Sequence, residues 1–297
     1  MKGVKFEGIL PALITPFEED NRTVNETSAR SLIELYLSQG ANGFYILGGT
    51  GEGLVMGREQ RERMCEIVID QVKGRKPVIC HIASMNLDEA IALAKHAEKA
   101  GADAIASVPP FFFSYDRDDI YNYYKAIAQS VHIPMIIYYH PAAQKDMQAS
   151  LIAHIFEIDN VTGVKWSSQN FFEMMKLKHM TQGDMNIING PDELLVEGLT
   201  AGADAGVGST YNVMLPQFVE IYNLFKTGKI DEARALQMKI NPTIECLCKY
   251  ELIPAVKAGV TLMGYNGGNA TYPMRQYSAE DLEELRQALA KEGWPFN

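Results

Sequence analysis

A lysine near the end of an otherwise apolar segment, Val161-Thr162-Gly163-Val164-Lys165-Trp166-Ser167, needs a chemical reason to be there. Such a lysine either runs its stem out to solvent or is kept for its amine. Held away from water, the ammonium form is disfavoured and the free amine becomes a nucleophile for a carbonyl carbon. A second group is Gly48-Gly49-Thr50-Gly51-Glu52-Gly53. Alternating glycines around a threonine let consecutive N–H groups and a hydroxyl face one point, a nest suited to a carboxylate or phosphate. The alternative is a plain tight turn, which needs fewer glycines. A third group is Ile136-Ile137-Tyr138-Tyr139-His140-Pro141. A phenol at a strand end can relay protons, and only one of the two tyrosines can point inward, because successive strand residues face opposite sides. A packing tyrosine is the alternative there.

Other chemistries find less support. The histidines at 81, 96, 132, 140, 154 and 179 are scattered, with no HxH or HxxxH pair. Cys246-Leu247-Cys248 falls in a helical pattern with no second ligand pair, so no metal is expected. The net charge of −10 argues against nucleic acid and against an anionic membrane surface. No apolar run approaches the ~18 residues of a membrane span. MKGVKFEGILPALITPF lacks the pattern of a secretory signal, and four cysteines in 297 residues do not suggest a disulfide scaffold. Together these place the chain in the cytoplasm.

The elements that must position these groups are announced by a repeated phrase. A helical pattern ends in glycine and a short apolar run follows, as in Gly40-Ala41-Asn42-Gly43-Phe44, Gly101-Ala102-Asp103-Ala104-Ile105 and Gly202-Ala203-Asp204-Ala205-Gly206. Glycine terminates the helix in the left-handed region, and the apolar run reads as a buried parallel strand. Eight such runs are predicted, at 8–16, 43–48, 77–83, 104–110, 133–140, 161–167, 185–190 and 205–210. Amphipathic segments lie between them; 86–100 is the clearest, with Asn86 and Glu89 as N-cap and capping-box residues. Eight βα units can close on themselves, which predicts an α/β fold, the (β/α)₈ TIM barrel. Helical patterns at 214–227, 230–249, 253–264 and 278–292 predict a C-terminal helical extension. The barrel is assigned to 1–228 and the extension to 229–297, packed as one structural unit. Ligands of such barrels bind at the C-terminal ends of the strands, which is where the three groups fall.

Taken together, Gly-Gly-Thr-Gly-Glu on strand two, Tyr-x-x-Pro on strand five and Gly-Val-Lys-x-Ser on strand six are more specific than any one alone. The chain resembles the superfamily of class I aldolases that contains N-acetylneuraminate lyase and dihydrodipicolinate synthase, from Gly8 to about residue 265. The segments 189–193 and 201–212 look most like the lyases. The resemblance implies that Lys165 forms an imine with the C2 keto carbon and that Tyr138 moves the proton at the sugar hydroxyl. Gly49 and Thr50 would hold the carboxylate; Ser167, Gly190, Asp192, Glu193 and Ser209 would bind the polyol tail and the groups near C4. It further implies pyruvate, N-acetylmannosamine and sialic acid as the small-molecule ligands, no cofactor, and a homotetramer. The sequence departs from the pattern in three places. Gly49 stands where Ser or Thr is usual. Phe112 replaces a Tyr that the neighbouring subunit adds to the proton relay. Tyr139 replaces the usual Asn, so it remains a rival to Tyr138. Against the synthases in particular, Ala143 stands where they carry a substrate-binding Arg. Two alternatives remain: a relative with the same chemistry, such as the synthase or a 2-keto-3-deoxy sugar-acid aldolase, and a barrel that only binds a keto acid.

Overall fold

The computed structural model describes residues 4–144 and 147–295; residues 1–3, 145, 146, 296 and 297, which the sequence assigns to barrel and extension, lie outside them. Strand and helix alternate as β1 (Gly8–Pro11), α1 (Glu26–Ser38), β2 (Phe44–Ile46), α2 (Arg58–Val72), β3 (Val78–His81), α3 (Leu87–Ala100), β4 (Ala104–Ser107) and α4 (Arg117–Ala128). They continue as β5 (Met135–Tyr139), α5 (Ala149–Ile155), β6 (Val161–Trp166), α6 (Phe171–Met180), β7 (Asn186–Asn189), α7 (Leu195–Thr200), β8 (Ala205–Gly208) and α8 (Tyr211–Lys226). The extension adds α9 (Ile230–Lys249), α10 (Leu252–Leu262) and α11 (Ala279–Lys291).

The strands form one parallel sheet in the order β1-β8-β7-β6-β5-β4-β3-β2. The seam between β1 and β2 is closed by a parallel bridge from Ala12 to Tyr45 and by the Leu13 N–H donating to the Tyr45 carbonyl at 2.9 Å. This is the (β/α)₈ barrel with C-terminal helices. Most strands stop short of the apolar runs that announce them. The run at 8–16 yields only Gly8–Pro11, and that at 43–48 only Phe44–Ile46. Prolines at 11, 16, 109 and 110 cannot donate to a ladder, and Leu47 turns to φ +61. The surplus apolar residues leave the sheet at its C-terminal end and build the mouth of the barrel.

Side chains alternate strictly between two cores. Leu10, Tyr45, Ile79, Ala104, Ala106, Ile136, Ile188, Ala205 and Val207 fill the barrel interior. Ile9, Phe44, Ile46, Cys80, Ile105, Ile137, Val164, Trp166 and Ile187 face the helices. One irregularity sets this alternation in β6: Met135 faces Val161 but Ile136 faces Gly163, so Thr162 is an extra residue, a bulge. Val161 packs outward, and beyond the bulge Val164 and Trp166 do too, which leaves Gly163 and Lys165 for the interior. Gly163 has to be glycine, since a Cβ there would lie 2.5 Å from the Asn186 carbonyl oxygen.

The helix punctuation is largely as predicted. Gly40, Gly101 and Gly202 take φ of +92, +101 and +105 after their helices. Asn86 caps α3, accepting from the Asp88 and Glu89 N–H groups. The capping box does not form: the Glu89 carboxylate takes the Ser84 hydroxyl at 2.6 Å, and that hydroxyl oxygen accepts from the Asn86 N–H. A serine two residues ahead of the cap competes successfully for the carboxylate.

Candidate active site

Lys165 and Tyr138 are register partners on adjacent strands. Lys165 is only 6% exposed. Its ammonium donates to the Ser167 hydroxyl at 3.3 Å and lies 3.8 Å from the centroid of the Tyr138 ring. Tyr139 points the other way, into the layer under the helices, with its ring 4.8 Å from that of Trp166. Of the two rival tyrosines, Tyr138 therefore shares a chamber with the lysine.

That chamber is a cavity of about 260 Å³ at the C-terminal mouth of the barrel. Lys165, Tyr138, Gly49, Thr50, Ser167, Gly190, Asp192, Glu193 and Ser209 all border it. The loop after β2 is wound tightly: the Glu52 N–H donates to the Gly49 carbonyl at 3.0 Å and the Gly53 N–H to the Gly48 carbonyl at 3.2 Å. Gly53 is required by close approach, because a Cβ would fall 1.9 Å from the Leu47 oxygen. Gly49 is different. An added Cβ there would meet nothing within 4 Å. The Thr50 hydroxyl is 2.7 Å from that of Ser209, joining the loop to the end of β8. Gly190 lets Ser167 approach, since its Cβ would lie 2.2 Å from the Ser167 oxygen.

The two acids after β7 are not equivalent. Neither caps α7 or the short 3₁₀ turn Asp192–Leu194 with its side chain. Asp192 is buried and accepts from both the N–H and the hydroxyl of Thr210, at 2.8 and 2.6 Å. Burial pushes its carboxyl up to about 6, against the Thr210 hydrogen bonds that lower it. Glu193 is half-buried and accepts from the Gln169 amide at 3.3 Å. The pair of free acceptors expected from the sequence is thus mainly Glu193, because Asp192 is already engaged in holding the end of β8.

Tyr45, at the site, and His81, beside it, were not singled out for chemistry by the sequence. Tyr45 borders the cavity from β2, its ring 5.4 Å from the lysine nitrogen and 6.1 Å from the Tyr138 ring. Its buried hydroxyl has no hydrogen-bond partner among the described residues. Its signal in the sequence is no more than a place within the apolar run 43–48. His81 stands 5.8 Å from Tyr138. Its Nδ1 lies 3.1 Å from the Leu47 carbonyl and its Nε2 3.3 Å from the Val108 N–H. Nδ1–H donates and Nε2 accepts, which fixes one neutral tautomer. Burial, and then the Arg61 charge, hold this imidazole at about 3. The extension supplies Ile244, Cys248 and Leu252 to the cavity wall. Among the described residues no group of three or more His, Cys, Asp or Glu is arranged to hold a metal, and no helix is long and apolar enough to cross a membrane.

Residues 5–292 match the model of the dihydrodipicolinate synthetase family. The chain belongs to that family. Its members are pyruvate-dependent class I aldolases, and the lysine chamber is the part of this chain suited to that chemistry. The N-acetylneuraminate lyase of Rhizobium meliloti (strain 1021) is 31% identical over 287 residues, 97% of this chain and 95% of the relative. The 4-hydroxy-tetrahydrodipicolinate synthase of Methanopyrus kandleri is 32% identical over 295 residues, 98% of each. The solved structure of CdNal from Clostridium difficile in complex with mannosamine superposes with a TM-score of 0.92 at 30% identity, over 97% of this chain and 100% of that one. Lyase and synthase stand at nearly the same identity, so the branch of the family has to be argued from the site.

Proposed function

We propose that this family member is an N-acetylneuraminate lyase, cleaving sialic acid reversibly to pyruvate and N-acetylmannosamine. The single observation that carries the chemistry is the Lys165 amine inside the barrel mouth, over the Tyr138 ring and sharing the cavity with the Gly49–Thr50 turn. The N–H groups of that turn and the Thr50 hydroxyl hold the substrate carboxylate, which sets C2 against the amine. The amine adds to C2 and water leaves, giving a protonated imine. Tyr138, having given its own proton to the oxygen that leaves C2 as water, takes the proton from the C4 hydroxyl, and the C3–C4 bonding pair moves into the imine to leave an enamine and the aldehyde of N-acetylmannosamine. Protonation at C3 and hydrolysis of the imine release pyruvate and restore the amine. Lys165 supplies the electron sink, so the reaction calls for no cofactor. Ser167, Gly190, Glu193 and Ser209 line the path of the remaining sugar, with Asp192 behind them.

Support for a lyase over a synthase comes from charge. Among the described residues no arginine borders the cavity, and Ala143 occupies the place after Pro141 where the synthases would bind a second carboxylate. Glu193 would repel such a group and accept hydrogen bonds from hydroxyls instead. The engagement of Asp192 by Thr210 favours one further reading, a 2-keto-3-deoxy sugar-acid aldolase with fewer hydroxyls to bind. We place the enzyme in the cytoplasm as a homotetramer whose barrel (1–228) and extension (229–297) act as one unit.

The test is pyruvate release from N-acetylneuraminate beside simpler 2-keto-3-deoxy acids. Borohydride with pyruvate should attach a reduced three-carbon adduct to Lys165, and Lys165→Arg should abolish it, since a guanidinium stays protonated. Faster release from the short acids would transfer the assignment to the second reading. An adduct surviving in Lys165→Arg would remove the assignment of the nucleophile.

A further inference from the structure

The glycine-rich turn carries one residue that its backbone does not favour. Glu52 sits at φ +58, in the left-handed region where glycine or asparagine is cheaper. Such a conformation persists where surrounding contacts over-determine it. The carboxylate of Glu52 points away from the cavity and its side chain is fully buried. One oxygen accepts from the Lys257 ammonium of α10 at 2.5 Å. The other accepts from the Thr271 N–H at 2.6 Å and from the Thr271 hydroxyl. Lys257 is equally buried; it also donates to the Asn269 carbonyl at 2.8 Å and lies 4.3 Å from the Phe17 ring centroid. Burial pulls its amine down to about 8, and the Glu52 charge opposes that fall.

Three segments of the chain thus meet behind the turn: Phe17 after β1, Lys257 on α10, and residues 269–271 beyond it. None of these groups borders the cavity. A buried pair is a poor source of net stability, because desolvation consumes most of the attraction, but it fixes geometry, because each charge tolerates only one arrangement of donors. The turn transmits that geometry. Glu52 is tied to Gly49 through its own N–H, and the Thr15 hydroxyl donates to the Gly51 carbonyl at 2.7 Å. A shift of Glu52 therefore moves the N–H groups of residues 49 and 50.

We propose that Glu52 and Lys257 are positioning residues: through them the C-terminal extension holds the carboxylate-binding turn at the height that matches the Lys165 amine. This rests on the assignment of Gly49 and Thr50 as the carboxylate site. It gives the extension a part in substrate binding besides supplying cavity wall.

The experiment measures borohydride trapping of pyruvate on Lys165 against pyruvate concentration, with thermal melting alongside, in the wild type, Glu52→Gln, Thr271→Val and the double variant Glu52→Gln/Lys257→Met. Glu52→Gln should raise the half-saturating pyruvate concentration by roughly 10–100-fold while the adduct yield at saturation changes little. Thr271→Val, which keeps the shape and removes one donor, should shift it in the same direction by less and remains available if Glu52→Gln does not fold. The double variant leaves no unpaired charge, so its melting temperature should recover while half-saturation stays high. Recovery of both together, or half-saturation unchanged in every folded variant, would overturn the positioning role. Absence of any adduct in the wild type would instead overturn the aldolase assignment, and the positioning role with it.

Discussion

Tyr138 and Lys165 occupy matching positions on neighbouring parallel strands, and the lysine nitrogen lies 3.8 Å from the centroid of the phenol ring. The ring thus makes one wall for the amine, on the cavity that a substrate must fill. Position, and not only residue type, separates Tyr138 from its neighbour.

Tyr138→Phe should lower kcat on N-acetylneuraminate by roughly 10²–10⁴-fold, the usual weight of a general acid–base group. Tyr139→Phe, altered in the layer beneath the helices, should change kcat by no more than about threefold. Both should still trap pyruvate on Lys165. Steady-state kinetics of the two variants decide the matter, and a crippled Tyr139→Phe would mean that the proton path lies elsewhere.

Gly49 faces open space and has no positive φ, so Gly49→Ser meets neither a clash nor backbone strain. Its stability should stay within about 0.5 kcal/mol of the wild type. A hydroxyl added beside Thr50 should raise turnover several-fold by extending the proton path between substrate and Tyr138. Paired melting curves and pyruvate-release rates would show it; a fall in kcat would mean the open space is needed by the substrate itself.

Asp192 should leave a mark on stability as pH changes. Its carboxyl rises from 3.8 to about 6 on folding, so the native state holds the proton more tightly than the unfolded chain. Stability contributed through this group is therefore greatest below about pH 4 and falls as pH rises to about 6, by roughly 3 kcal/mol. His81, lowered from 6.5 to about 3, acts with the opposite sign over an overlapping range. Urea unfolding of wild type and Asp192→Asn across pH 4 to 7 isolates the first effect. The wild type should lose ground to the variant as pH rises, and a constant difference would refute the buried charge.

Tyr45→Phe removes a buried hydroxyl without a partner among the described residues. Desolvating such a group costs about 1–3 kcal/mol, so the variant without ligand should melt at a higher temperature. If bound substrate gives that hydroxyl a partner, the gain should shrink or reverse when pyruvate is present. Melting curves with and without pyruvate, on both proteins, measure this.

The sequence was most legible where a single residue type had one physical explanation. Glycine after several of the helices, eight apolar runs and a lysine in a buried strand led directly to the barrel and to its mouth. It was least legible where the explanation lies in residues far apart along the chain. Asp192 looked like a free acceptor because nothing nearby binds it; its partner Thr210 is eighteen positions away. Glu52 looked like part of a loop signature, and its reason stands at Lys257 and Thr271. Tyr45 differs from a packing tyrosine only by what its hydroxyl fails to meet. Strand ends were overestimated because apolar residues that build a cavity wall resemble those that continue a strand.

The bulge at Thr162 gives β6 a reserve of one residue. Counted inward from Val161 along an unbroken strand, Lys165 would fall on the helix-facing side and Trp166 would crowd the mouth. Because the extra residue is absorbed before Gly163, loss of Thr162 would restore plain pairing and leave Lys165 where it is, whereas loss of Val164 would turn it outward. The strand that carries the nucleophile can thus shorten by one residue on one side of Gly163 and by none on the other. An insertion or deletion near this strand therefore has to be placed relative to Gly163 before its effect on the lysine can be judged.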